Sequence, residues 1–278
     1  RSNGLRTFLK TVTRHLLHRY AAPRVRNRID RRLLNQADLA RICEREGSTC
    51  KKYDDPITCR LSPPTTPVKL SESNRRQWHR TFGEEIHIDR PLAALIPDGS
   101  LLQPDTNPVR DGMFLPIGMS GRQVATGILM SRLEGHYLPA VISSGDTEYV
   151  DTAICLTGPL ARNYYHWFNN YLVRLRGYEW FTEHTDTEPS VIIPSDPSRW
   201  MEDSLRAVGI PDDAWIQWPD QRTHVDNYLV SIPGLSPNDD TTGRTQLTSP
   251  ETYRWLGSRT RKGILGANTT SRDRRIYV

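Results

Sequence analysis

Long apolar runs are missing from this chain of 278 residues. A bilayer-crossing helix needs about 20 consecutive, mostly apolar residues, and no stretch approaches that. The basic N-terminus has neither a continuous apolar core nor a small-residue cleavage site, so no cleavable signal peptide is expected. Cysteine is scarce, with four in the whole chain. Cys43, Cys50 and Cys59 are separated by six and eight residues, which is not zinc-ligand spacing, and Cys155 lies in an apolar run. All four are expected as reduced thiols in a cytosolic protein. There is no glycine-rich loop of the Walker or dinucleotide type and no internal repeat. There is also no Asp-x-Asp pair after an apolar strand. The acidic clusters at 146–148, 186–188, 54–55, 212–213 and 239–240 read as turns, so no essential metal is expected.

What is present begins with charge. Hydrophobic residues make up 36% and charged residues 25%, the balance of a globular chain. The net +5 is unevenly spread: residues 1–60 hold 15 Lys/Arg against 6 Asp/Glu, and the remainder holds 22 against 26. Any partner attracted by positive charge must therefore meet the first segment. Leu5, Phe8, Leu9, Val12, Leu16 and Tyr20 recur at helical intervals, and Pro23 ends that pattern. A second, arginine-studded helix is expected from Val25 to about Glu46. A basic amphipathic helix can lie on an anionic membrane surface. It can equally pack on its own domain with its arginines in water. Nucleic acid is not expected as a partner, because few aromatics interleave the basic residues and no reading motif appears.

Proline-rich "LSPPTTP" (61–67) reads as a linker between the basic helical region 1–60 and a β-rich segment, 68–148. Short strands such as "AALIPDG", "GMFLPIG" and "HYLPAVISSGD" are separated there by Gly, Pro and Asp. After 148 the pattern changes. "YVDTAICL" is an apolar strand followed by a long helix. "SVIIP" (190–194) is a buried strand and "SRWMEDSLRAVGI" (198–210) a helix. "AWIQW" (214–218) and "NYLVSIP" (227–233) are strands. Residues 249–263 form a helix capped by Ser249 with Pro250 next, closing at Gly263. "RRIYV" (274–278) is a last strand. Strands alternating with helices predict an α/β fold over 149–278: a Rossmann-like parallel sheet with helices on both faces.

The long helix, Asn163–Phe181, carries the chemistry. Tyr164, Trp167, Phe168, Tyr171, Leu172, Leu175 and Tyr178 fall at helical steps and predict a face against the sheet. Asn163, His166, Asn170 and Arg174 fall at steps of three, four and four, a polar stripe along another edge. The stripe starts at a helix N-terminus after a strand, where doubly wound sheets bind ligands. A histidine there can take a proton from a hydroxyl or stabilise a phosphate, and Arg174 can pair with an anion. The same His beside Trp can also be a hydrogen-bonded structural residue.

"NYYHWFNNYLVRL" resembles the motif of glycosyltransferase family 61, the capsular-polysaccharide-biosynthesis-like proteins. There an Asn-aromatic-aromatic-His-Trp run opens a helix ending in a Pro-Arg-Leu-like stretch; here Val173 replaces the usual Pro. "SVIIPSDPSRWMEDSLRAVGI" resembles the family's next strand and helix. "RRIYV" is similar to its Arg-Ile-Tyr-Ile strand, normally followed by Ser-Arg. The three matches span about 150–278 in the family's order. The resemblance implies a GT-B architecture, with 149–278 as its N-terminal, acceptor-side half. It implies transfer of a sugar from a nucleotide-sugar to a glycan or polysaccharide hydroxyl, inverting, in surface-polysaccharide biosynthesis. His166 would be the catalytic base, with Asn163, Tyr164, Asn170 and Arg174 binding substrate and no metal needed. The expected location is cytoplasmic, at the inner face of a membrane through residues 1–60. Because the chain stops on an apolar strand, the donor domain is expected beyond Val278, and residues 1–278 alone are expected to be inactive.

Overall fold

The computed structural model describes residues 31–60, 85–101, 108–115, 147–158, 160–218, 222–234 and 248–267. The expected helix over 5–20, the linker 61–67, the strand 274–278 and "HYLPAVISSGD" lie outside the described residues. The strands, in chain order, are β1 (Cys50–Lys52), β2 (Ile57–Arg60), β3 (Glu85–Ile88), β4 (Leu92–Leu101) and β5 (Val109–Arg110). They continue with β6 (Met113–Phe114), β7 (Glu148–Cys155), β8 (Ser190–Ile193), β9 (Trp215–Gln217) and β10 (Thr223–Ile232). The helices are α1 (Gln36–Glu46), α2 (164–184), α3 (Arg199–Val208) and α4 (Pro250–Ala267).

An eight-stranded sheet in the order β6-β5-β4-β10-β7-β8-β9, with β1 also on β4, gives a mixed α/β fold. β10, β7, β8 and β9 are parallel, while β4 runs antiparallel to β10, from Leu92↔Ile232 to Leu101↔Thr223. Over 149–278 the described strands are parallel, as expected, and the sheet as a whole is mixed because β4 joins it antiparallel. β4 comes from the β-rich segment and β1 from the N-terminal region, so the sheet crosses the boundary placed at 148. The physical reason is that a long apolar strand such as β10 leaves unpaired backbone groups unless both edges are covered. β4 covers one edge and passes close to it. A Cβ at Gly99 would stand 2.7 Å from Tyr228 Cβ, so only glycine allows that approach.

Side chains alternate across the sheet as strand geometry requires. Ile154, Val191, Ile193 and Leu229 point to one face and pack with Trp167, Phe181, Leu205 and Leu256 of α2, α3 and α4. Ala153, Cys155, Ile192 and Val230 point to the other, against Leu39 and Cys43 of α1 and Trp218. Helices on both faces are therefore present. α1 begins later than expected, at Asn35, whose side chain accepts from Asp38 N at 3.0 Å while Asp38 accepts from Asn35 N at 2.9 Å. That reciprocal cap fixes the start, and Gly47 at φ 67 ends it. α4 runs through Gly263 instead of stopping there. A Cβ on Gly263 would be 2.2 Å from the Ala207 carbonyl oxygen, so this glycine serves close packing of α4 on α3. Among the described residues no helix is long and apolar enough to cross a membrane.

Candidate functional site

α2 is not one uniform helix. It opens with a turn over Tyr164–His166, widens to a π-helical turn over Trp167–Tyr171, and tightens to a 3-10 turn over Leu172–Arg174. Regular α-helix then runs over Leu175–His184. The amide of Leu172 bonds the Trp167 carbonyl, five residues back. One extra residue in a turn rotates everything after it by about 100°. The expected stripe is broken by that rotation. Asn163, His166 and Asn170 stay on the outer edge, whereas Arg174 swings inward and is 1% exposed. Tyr164 departs from expectation in the opposite sense. Instead of facing the sheet it is 61% exposed, packed on Phe168 at 4.8 Å and Trp200 at 5.2 Å.

The outer edge lies at the carboxyl end of β7. Asn163 caps the opening turn, its Oδ1 accepting from His166 N at 3.2 Å, so that oxygen has a structural role. His166 Nδ1 lies 3.4 Å from Asn170 Oδ1. An amide oxygen only accepts, so the contact is a hydrogen bond in the tautomer that carries the proton on Nδ1. The contact is long for a hydrogen bond, and it sets Asn170 beside the ring as its orienting neighbour. Tyr165, edge-on to His166 at 5.3 Å, is exposed beside it.

Neighbouring elements hold this edge in place. Asn169 Nδ2 donates to the Tyr165 carbonyl at 2.7 Å, and Tyr253 of α4 donates its hydroxyl to Asn169 Oδ1 at 2.8 Å. Burial raises the Tyr253 hydroxyl pKa, so it remains a donor. α4 itself starts at the carboxyl end of β10: Ser249 N donates to the Pro233 carbonyl at 3.1 Å, and Thr252 Oγ1 to the same oxygen at 3.4 Å. Arg162 ties the β7–α2 loop to the β8–α3 loop, donating to the Asp196 carbonyl at 3.0 Å and to the Ser195 carbonyl. Leu160 at φ 65 and Asp196 at φ 45 stand in the left-handed region in those two loops, and such strain concentrates at functional edges. Sequence reasoning missed Tyr253, Asn169 and Arg162. None carries a motif, and each makes a contact 33–84 residues away in the chain that local pattern does not show.

Beneath the edge is a buried polar cluster. Arg174 Nη1 donates to the Cys155 carbonyl at 3.1 Å, and its guanidinium lies 4.5 Å from the Tyr171 ring centre. Burial pulls the Arg174 guanidinium below its ordinary value, while Tyr171, Tyr228 and Cys155 oppose that. Burial likewise raises the Cys155 thiol and, further, the Tyr228 hydroxyl. Cys155 Sγ and Thr157 Oγ1 are 2.9 Å apart. Among the described residues no group of three His, Cys, Asp or Glu side chains is placed to hold a metal ion. Compared with protein families, curated proteins and solved structures, the chain matches none.

Proposed function

We propose that this protein is an inverting glycosyltransferase that moves a sugar from a nucleotide-sugar to a glycan hydroxyl, with His166 as the base. The observation that carries the reading is His166 at the carboxyl edge of the sheet, its Nδ1 turned to Asn170 Oδ1 at 3.4 Å. Inverting transfer needs one group to take the proton of the attacking hydroxyl as the glycosidic bond forms. The strand order lends support. Numbered along the chain, the parallel strands β9-β8-β7-β10 run 3-2-1-4, the order in which doubly wound folds bind nucleotides at the reversal between strands 1 and 4. α2 and α4 both start at that reversal. Residues 149–278 are read as the acceptor-side, Rossmann-like half of a GT-B enzyme, in keeping with the resemblance of "NYYHWFNNYLVRL" and the segments after it to family 61.

In this reading Tyr164 and Tyr165 form the exposed wall beside the base, and Asn163 and Asn170 set its geometry. Arg174 acts through space. A buried guanidinium with no carboxylate beside it among the described residues lends the carboxyl end of β7 a positive potential that favours the departing diphosphate. The enzyme works at the cytoplasmic face of a membrane, with Arg-rich residues 1–60 as the surface that meets anionic lipid, on surface-polysaccharide acceptors and without an essential metal.

The test is sugar transfer by the intact gene product from a panel of labelled nucleotide-sugars. His166→Ala is expected to lower turnover by ~10²–10⁴-fold with an unchanged melting temperature. Turnover equal to wild type would return His166 to a structural role.

A further inference from the structure

Away from His166, on another face of α4 from Tyr253, a cleft of about 640 Å³ opens between α2, α4 and the β1–β2 connection. Arg176 of α2 forms one wall, Glu251, Arg254 and Trp255 of α4 the other, and Asp54 and Asp55 the end. We propose that this cleft binds a neutral saccharide, one ring of a glycan chain, at a distance from the transfer centre.

The lining narrows the ligand class. Its charges are mutually compensated: Arg176 Nη2 lies 3.2 Å from Asp54 Oδ1, and Arg254 pairs with Glu251 one turn away. With Asp55, three carboxylates stand against two guanidinia, so a phosphate or carboxylate ligand meets repulsion. An apolar ligand would strand these polar groups without water. Paired carboxylates and guanidinia still have unused acceptor and donor positions. Alternating donors and acceptors match vicinal hydroxyls, each of which can give one hydrogen bond and take another. Trp255 supplies the remaining element, since the C–H groups of a sugar ring, slightly positive, pack on the negative face of an aromatic ring.

The walls are fixed in advance, which lowers the ordering cost of binding. Trp255 donates its ring N–H to Glu179, which Arg259 also holds. Asp54 sits at φ 50 with its carbonyl taken by Arg90 Nε at 2.7 Å. Beneath Arg176, Tyr53 stacks on Trp180 with centroids 5.7 Å apart and planes 9° from parallel.

The choice of a saccharide rests on the transferase reading, but its test reads binding alone. Methyl glycosides of glucose, galactose, mannose and N-acetylglucosamine are titrated into the full chain and followed by saturation-transfer NMR, with methyl phosphate and tetramethylammonium as charged comparisons. At least one glycoside is expected to bind in the millimolar range, with the charged probes giving no signal. Ser258→Tyr, which fills the cleft from an exposed helical position, and Asp55→Ala, an exposed change that leaves the fold intact, should each weaken binding ~5-fold or more. His166→Ala should leave it unchanged. Binding that survives both cleft variants, or the absence of signal from every glycoside, overturns the proposal. Glycoside binding lost in the cleft variants, together with turnover indifferent to His166, would keep the cleft and sink the transferase reading. Transfer that depends on His166 without glycoside binding would do the reverse.

Discussion

Arg174 Nη1 donates to the Cys155 carbonyl at 3.1 Å, while its Nε and Nη2 are buried with no hydrogen-bond partner among the described residues. A buried cation that leaves two donor atoms unmet and has only a ring face and a carbonyl beside it costs more than it returns. Arg174→Met keeps the volume and removes the charge. It is expected to stabilise the protein by ~1 kcal/mol. Arg174→Ala is expected to destabilise it by ~2–4 kcal/mol through the cavity. Thermal and urea denaturation of both variants checks the pair of signs. If the charge is kept for chemistry, Arg174→Met also lowers transfer, a trade of activity for stability. A large loss of stability in Arg174→Met would mean that the guanidinium is a necessary strut.

How much of this was legible in the sequence differs by element. "DTAICL" and "SVII" declare buried strands because nearly every position is apolar, which suits a strand covered on both faces. The observed alternation of Ile154 with Cys155 and of Val191 with Ile192 follows from that. The antiparallel pairing of β4 with β10 was not legible. It joins residues about 130 apart, and "AALIPDGSL" contains a Pro and a Gly that read locally as a turn. At the site, the shared edge of Asn163, His166 and Asn170 was readable from helical period alone. The inward turn of Arg174 was not, because a π turn in "WFNNY" has no signature in apolar spacing. Two adjacent asparagines are poor helix formers, but they do not say where an extra residue will be inserted.

Tyr253 and Asn169 join α4 to the loosest part of α2. Tyr253→Phe removes the 2.8 Å hydrogen bond to Asn169 and leaves the ring in place. The expected stability loss is ~1 kcal/mol. If His166 is positioned through this contact, kcat falls while KM for the acceptor hardly moves, because the base is displaced and the binding surface is not. Equal changes in both constants would place Tyr253 in substrate binding instead.

The thiols of Cys43, in α1, and Cys50, at the start of β1, are neighbours, and Cys43 Sγ lies 3.4 Å from the Thr49 carbonyl. The bond from Cys50 brings the Cys43 thiol down to about 7 from an ordinary 9.0, against the upward push of burial and with help from Ser48 and Arg110. Cys50, as donor to Cys43, is raised. A depressed acid stabilises the fold above its unfolded value, and that contribution fades as pH falls through its folded value. A raised acid has the opposite effect above 9.0, where the unfolded thiol ionises and the folded one does not. Stability is therefore expected to climb between about 7 and 9.0 and to turn down beyond. Thiolate absorbance at pH 6–10 should show one early titration that Cys50→Ala moves back towards the ordinary range. An unchanged midpoint in Cys50→Ala would remove the hydrogen bond as its cause.

Gly177 faces Ser231 across the contact between α2 and β10. A Cβ there would stand 2.3 Å from Ser231 Oγ, 2.9 Å from Ser231 Cβ and 3.1 Å from the Tyr53 hydroxyl oxygen. In an exposed helix, Gly→Ala gains up to ~1 kcal/mol. Here the methyl meets a hydroxyl that donates to the Arg174 carbonyl at 2.7 Å and cannot move without losing that bond. Gly177→Ala is therefore expected to destabilise by ~2–3 kcal/mol. Ser231→Gly opens the space at a cost of ~1 kcal/mol of its own. The double variant should then be more stable than Gly177→Ala alone, with a coupling energy of ~1–3 kcal/mol. Because the helix seated here carries Arg174 three residues earlier, the same cycle reports on the turn that directs that side chain inward. Strictly additive losses would mean that α2 rides on β10 with slack, and that the π turn, not the Gly177 contact, sets its depth.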